Sequence, residues 1–89
     1  MEKALLTFSN GETLELHDTQ LIIPIVKFHE QDNKHFGVSL NVPQEIWYHA
    51  QDGLIPSICE ILCNCEFFFL HDNREKVYRS STVVTIQNL

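Results

Sequence analysis

The residues best equipped for chemistry fall in one short stretch. Cys59-Glu60-Ile61-Leu62-Cys63-Asn64-Cys65-Glu66-Phe67-Phe68-Phe69-Leu70 holds all three cysteines and three of the six phenylalanines of the chain. Thiolate and imidazole are the usual donors of a four-coordinate zinc site, so Cys59, Cys63, Cys65 and His71 would together make a Cys3His set. Cys59 and Cys63 lie one helical turn apart, which would aim both sulfurs the same way. Neither interval, however, gives the tight C-x2-C spacing of common zinc frames, and the neighbours are Ile, Leu and Phe. Free cysteine packs as a small hydrophobe and is among the most buried residue types. The expectation is that the thiols line a core and that no metal or cofactor is bound, with a Cys3His metalloprotein as the alternative. Cys63-Asn64-Cys65 is not the C-x-x-C of dithiol redox chemistry either.

Other catalytic patterns are missing. His17, His29, His35, His49 and His71 supply bases, yet no local frame sets one beside a cysteine. His17-Asp18 and His71-Asp72 are neighbours at expected strand ends, and successive residues of a strand point to opposite faces. Three isolated glycines form no phosphate-cradling loop. A chain of 89 residues seldom encloses a cleft for paired carboxylates. The expectation is a protein that is not an enzyme.

The formal charge is −6, from 12 acids against 6 bases. A nucleic-acid binder needs a basic stripe to displace counterions, and none is present, so no nucleic-acid partner is expected. An acidic chain is also repelled by anionic lipid surfaces. No apolar run approaches the roughly 18–20 residues of a membrane span. The longest candidate, Leu21 to Val26, is short and contains Pro24. No membrane association and a cytoplasmic location are therefore expected, and an odd number of cysteines argues against a secreted disulfide framework. Acidity also fits a cationic partner, or a ligand-binding module or inhibitor acting as a charge mimic.

The elements that must position these residues read as follows. Ala4–Phe8 and Thr13–Leu16 alternate about Asn10-Gly11, a hairpin signal of the type I′ kind, with Leu6, Phe8, Leu14 and Leu16 on one face. Gln20–His29 is β-branched and apolar on both parities, and Pro24 confines it to an edge or a bulge. His35–Val42 alternates again, with Gly37 marking a bulge. Pro43–Gly53 reads as a helix, with Pro in the first turn and Gly as its stop. Leu54–Cys63 reads as a second helix, with Ile58, Ile61 and Leu62 at helical spacing. Strands then follow at Glu66–Leu70, Val77–Arg79 and Thr82–Gln87, with a kink at Ser80-Ser81. In the first of these, Phe67 and Phe69 are expected to face inward, and Phe68 and Leu70 outward. The sum is one α+β domain, residues 1–89: a small, mostly antiparallel β-barrel or curled sheet of about six strands, with two short helices inserted before the C-terminal strands.

That arrangement supplies more apolar surface than a small chain usually hides. Ile23, Ile25, Trp47, Tyr48, Phe68 and Leu70 are the expected interface residues, and a two-fold homo-oligomer is the simplest way to cover them. In size, acidity and density of hairpins the chain is similar to the small accessory proteins of Gram-positive bacteria and their phages. That likeness implies a regulator, an assembly factor or an inhibitor of a host defence system. The function expected is a small acidic protein-interaction module that self-associates.

Overall fold

The first hairpin forms as its alternation demands. A computed structural model describes residues 2–29, 36–40 and 42–89, and for 27–29 and 36–40 the backbone alone. Strands β1 (Lys3–Phe8) and β2 (Thr13–His17) pair antiparallel, with Leu6 opposite Leu14 and Ala4 opposite Leu16. Ala4, Leu6, Phe8 and Leu16 are buried. The turn is one residue longer than a two-residue I′ loop. Phe8 N–H donates to Glu12 O at 2.8 Å and Gly11 N–H to Phe8 O at 2.9 Å, and only Gly11, at φ +87°, is left-handed. This is the three-residue loop that closes with a glycine bulge. The Asn10 side chain accepts from Glu12 N–H at 2.9 Å, which holds it without a positive φ of its own.

Strand β3 (Leu21–His29) is interior, not an edge. It pairs with β6 (Phe67–Leu70) along one side, and along the other with β4 (Phe36–Leu40) and the two-residue β5 (Gln44–Glu45). Pro24 survives there because of where its nitrogen points. His71 N–H donates to Leu21 O and Glu66 N–H to Ile25 O, so odd positions of β3 face β6 and Pro24 faces away. On that far side the register changes by one residue between Ile25↔Leu40 and Ile22↔Gln44. A residue without a donor is tolerated at such an irregularity. Gly37 marks no bulge: it pairs with Phe28 in unbroken register. The side-chain face expected for Phe36, Val38 and Leu40 lies outside the described residues.

Strand β7 (Asn73–Arg79) returns from β6 across His71-Asp72, a shorter turn than expected. A 3₁₀ turn at Ser80–Thr82 makes the anticipated kink, and β8 (Val83–Asn88) pairs antiparallel with β1. Val84 is the extra residue of a bulge in this pair, since Thr7 faces Thr85 while Phe8 faces Val83. The pairing therefore gives two antiparallel sheets among the described residues, β2-β1-β8 and β4-β3-β6-β7 with β5 beside β3, and not one closed barrel. No helix among the described residues is long and apolar enough to cross a membrane.

Helix α1 (Ile55–Cys63) forms where its periodicity places it, with Pro in its first turn. The other expected helix, over 43–53, does not form. Gln44 and Glu45 pair with Ile22 and Leu21 instead, and Ile46 continues the contact by donating to Gln20 O at 2.9 Å and accepting from Thr19 N–H at 2.8 Å. Two strand pairs and two further backbone bonds outweigh a short segment's helix preference, which is marginal without packing. Gly53 does adopt the left-handed φ, +66°, that its role as a stop would need, but it closes a turn back to His49.

The core lies between the sheets and under α1. Leu6 and Leu16 from one sheet meet Ile22, Phe68 and Leu70 from the other, with Ile46, Leu54 and Ile58 completing it. Tyr78 stacks between Phe8 and Phe68, at ring distances of 5.1 and 5.3 Å. Phe68 and Leu70 therefore point inward, the reverse of the expected parity. Four consecutive apolar residues carry no alternation, so only the pairing Ile22↔Leu70 and Pro24↔Phe68 sets which face they take.

Candidate functional site

The opposite face of the β3–β6 pair is also covered, and the two faces together take up half of the expected interface residues. Ile23 is 4% exposed and its cross-strand partner Phe69 is 5% exposed. The Arg74 guanidinium lies 4.9 Å from the centre of the Phe69 ring, and that of Arg79 lies 5.9 Å from Phe67. Arginine stems can cover apolar surface while their charge stays wet. Of the six residues expected at an interface, Ile23, Phe68 and Leu70 are thus inside one chain and Ile25 is half-buried. Trp47 and Tyr48 remain, 43% and 48% exposed.

Those two aromatics sit on an irregular but well-tied stretch. Trp47 N–H donates 3.0 Å to Ser57 Oγ, and Ser57 on α1 is fully buried. His49 and Gly53 exchange two backbone bonds, of 2.7 and 2.9 Å. Within that turn His49 Nδ1 accepts from Gln51 N–H at 3.3 Å and from Asp52 N–H at 3.2 Å, as an Asx side chain would. The Asn88 amide clips the far end, donating to Asp52 O at 2.9 Å and accepting from Leu54 N–H at 3.1 Å. Tyr48 OH reaches Ala50 O at 3.4 Å. Trp and Tyr side chains are therefore presented on a backbone whose hydrogen bonds are largely made internally, so little order is lost when something binds them.

Beside Trp47 lies a cleft of about 220 Å³ between β5 and α1. Gln44, Glu45 and Trp47 line it from the β5 stretch, Glu60, Ile61 and Asn64 from α1 and its C-cap, and Pro24 from β3. Asn64 also lines a second hollow, of about 290 Å³, with Val26, Cys63, Cys65 and Glu66. Glu45, Glu60 and Glu66 are exposed, and no cation among the described residues pairs with them. By contrast Glu12 is bonded to Lys76 at 2.9 Å and Glu15 to Lys3 at 3.4 Å. The bond to Glu12 holds the Lys76 ammonium above its ordinary pKa.

The thiols do not serve as expected. Cys59 and Cys63 are exposed, and only Cys65 packs against the core. The register of α1 explains this: Ser57, Ile58 and Ile61 face inward, which turns positions 59 and 63 to solvent. Cys63 and Cys65 instead help to finish the helix. Cys63 Sγ donates to Glu60 O and Cys65 Sγ to Ile61 O, each at 3.3 Å, and Asn64 Nδ2 donates to Glu60 O at 2.7 Å. At the helix end these bonds supply the Glu60 carbonyl with donors and add to the Asn64 N–H that Ile61 O already accepts at 3.2 Å. Burial pushes the Cys65 pKa up, against the pull of the Ser80 hydroxyl 3.3 Å away, and nearby Cys63 and Glu66 raise it further.

Cys59, Cys63, Cys65 and His71 are not brought together. His71 stands exposed in the β6–β7 turn, beside a shallow hollow shared with His17, Gln20, Leu21 and Asp72. No group of three or more His, Cys, Asp or Glu side chains among the described residues is placed to hold a metal ion. The His17 ring meets the Asp18 backbone oxygen at 2.9 Å, not the Asp18 carboxylate, which instead accepts from Glu2 N–H. The cleft itself was invisible to sequence reading. Its lining comes from positions 24, 44, 45, 47, 60, 61 and 64, and the one available signal was the adjacent Trp-Tyr pair. No protein-family model, curated protein or solved structure matches the chain, so its function has to be argued from this geometry.

Proposed function

We propose that the chain is a small interaction module, not an enzyme, that receives a segment of a partner protein at the cleft between β5 and α1. The observation that carries this reading is the exposed Trp47-Tyr48 pair, held on a backbone already tied to α1 through Ser57 and to β8 through Asn88. Trp and Tyr dominate interface hot spots because they bury a large area at little entropic cost. The described thiols and imidazoles are bonded to backbone groups or stand exposed, and none is set beside another as base and nucleophile; this supports binding over catalysis. Self-association through Ile23, Phe68 or Leu70 is not part of the proposal, because the fold consumes those side chains.

The test is affinity capture from the cells that make the protein, followed by binding measurements on the purified captured partner. Trp47→Ala/Tyr48→Ala should bind that partner at least about tenfold more weakly, the loss of roughly 1.4 kcal/mol that marks a hot spot, while keeping the native melting transition. Equal affinity of the double variant and the parent would overturn the reading.

A further inference from the structure

Resting on that reading of the same site, we infer that what enters the cleft is a cationic side chain, lysine or arginine, projecting from the partner segment. The lining carries Glu45 on β5 and Glu60 on α1, together with Trp47 and Ile61. A long basic side chain fits this layout: its methylenes pack on apolar surface, its charge meets the carboxylates, and an indole face attracts it further.

Charge bookkeeping across the surface points the same way. The described cationic side chains are Lys3, Arg74, Lys76 and Arg79. Lys3 and Lys76 are held by Glu15 and Glu12, and the two arginines lie over Phe69 and Phe67. None of them lines the cleft, and its carboxylates have no cationic partner among the described residues. A concave surface with an indole and two carboxylates that no described cation compensates repels an acidic segment and gains little from a neutral one. Both carboxylates are exposed, so each contributes weakly and binding of one side chain alone should be weak and salt-sensitive.

Trp47 is the one tryptophan of the chain, so its fluorescence reports on the cleft alone. The probes are four capped Gly-Gly-X-Gly-Gly peptides, with X as arginine, lysine, the uncharged arginine isostere citrulline, or norleucine. The arginine or lysine peptide should give a saturable change, at least fivefold tighter than the citrulline peptide and weakened at least threefold between 20 and 300 mM salt, on the order expected for exposed charges. Glu45→Gln/Glu60→Gln should abolish that preference, and Glu75→Gln on β7 should leave it intact. Equal response to citrulline, a preference for norleucine, no saturable response to any probe, or no effect of the double glutamine variant would each overturn the inference. The two readings fail separately. If the captured partner depends on Trp47 and Tyr48 but the probes show no charge preference, only the cationic occupant falls. If the basic peptide binds while the captured partner ignores Trp47 and Tyr48, the cleft is not the partner's interaction site.

Discussion

Replacing Gly53 with alanine tests how the aromatic loop is held. Gly53 has φ +66°, and a Cβ there would stand 2.5 Å from Asn88 Oδ1 and 2.8 Å from its Nδ2. The left-handed conformation costs an alanine about 1–2 kcal/mol, offset in part by about 0.4–1 kcal/mol from a stiffer unfolded chain. The Asn88 amide must then swing away, surrendering its bonds to Leu54 N–H and Asp52 O, at about 0.5–1.5 kcal/mol each. The total is about 2–4 kcal/mol. In a domain of this size each kcal/mol moves Tm by about 4–8 °C, so a fall on the order of 10–20 °C is expected in thermal denaturation. Gly11 provides the comparison. It has φ +87° with nothing within 4 Å of its Cβ position, so Gly11→Ala should show the conformational cost alone, about 1 kcal/mol. The cycle with Asn88→Ala sharpens the test, because with the amide already gone Gly53→Ala should cost only about 1 kcal/mol more. The reasoning fails if Gly53→Ala is no worse than Gly11→Ala, or if the Gly53 and Asn88 costs add to within about 0.5 kcal/mol.

Three further outcomes are expected. Phe68→Ala, at a fully buried site stacked on Tyr78, should cost about 3–5 kcal/mol in urea denaturation, whereas Phe67→Ala, at 36% exposure on the other face, should cost far less; equal losses would contradict the observed parity. Ser57→Ala leaves the Trp47 N–H without its acceptor and should cost about 1–3 kcal/mol with a shift in tryptophan emission; an unchanged spectrum and stability would mean that the bond does not anchor the loop. Cys65 has its folded pKa raised above the ordinary 9.0, so its contribution to stability is complete below that value and is lost as pH rises through the raised one. Cys65→Ala should flatten that alkaline loss, and in the parent chain iodoacetamide should modify Cys59 and Cys63 well before Cys65; uniform alkylation would refute the assignment of burial.

Local patterns were legible wherever one face alternates with another. The Ala4–Phe8 and Thr13–Leu16 runs specify their hairpin because period-two alternation leaves a single inward face. Ile58, Ile61 and Pro56 specify α1 in the same way at helical period. The site was hardly legible. Trp47 and Tyr48 stood out by type, but Glu45 and Glu60 come to line one cleft only after β5 joins β3 and the chain folds α1 back beside it.

By itself, then, the amino-acid sequence determined an acidic α+β chain with antiparallel hairpins, one of the two helices its pattern suggested and a kink at Ser80-Ser81. Tertiary structure decided the rest: which way Phe68 and Leu70 point, that Gln44–Ile46 adds to a sheet in place of coiling, and that Cys59 and Cys63 face water. The physical reason is the same in each case. A run such as Phe67–Leu70 has no polar residue to mark its outer side, and the bonds that place Ile46 or Trp47 come from Gln20, Thr19 and Ser57, far away in the chain. Periodicity encodes a face only where that face meets water; elsewhere the choice belongs to the partner strand and its register.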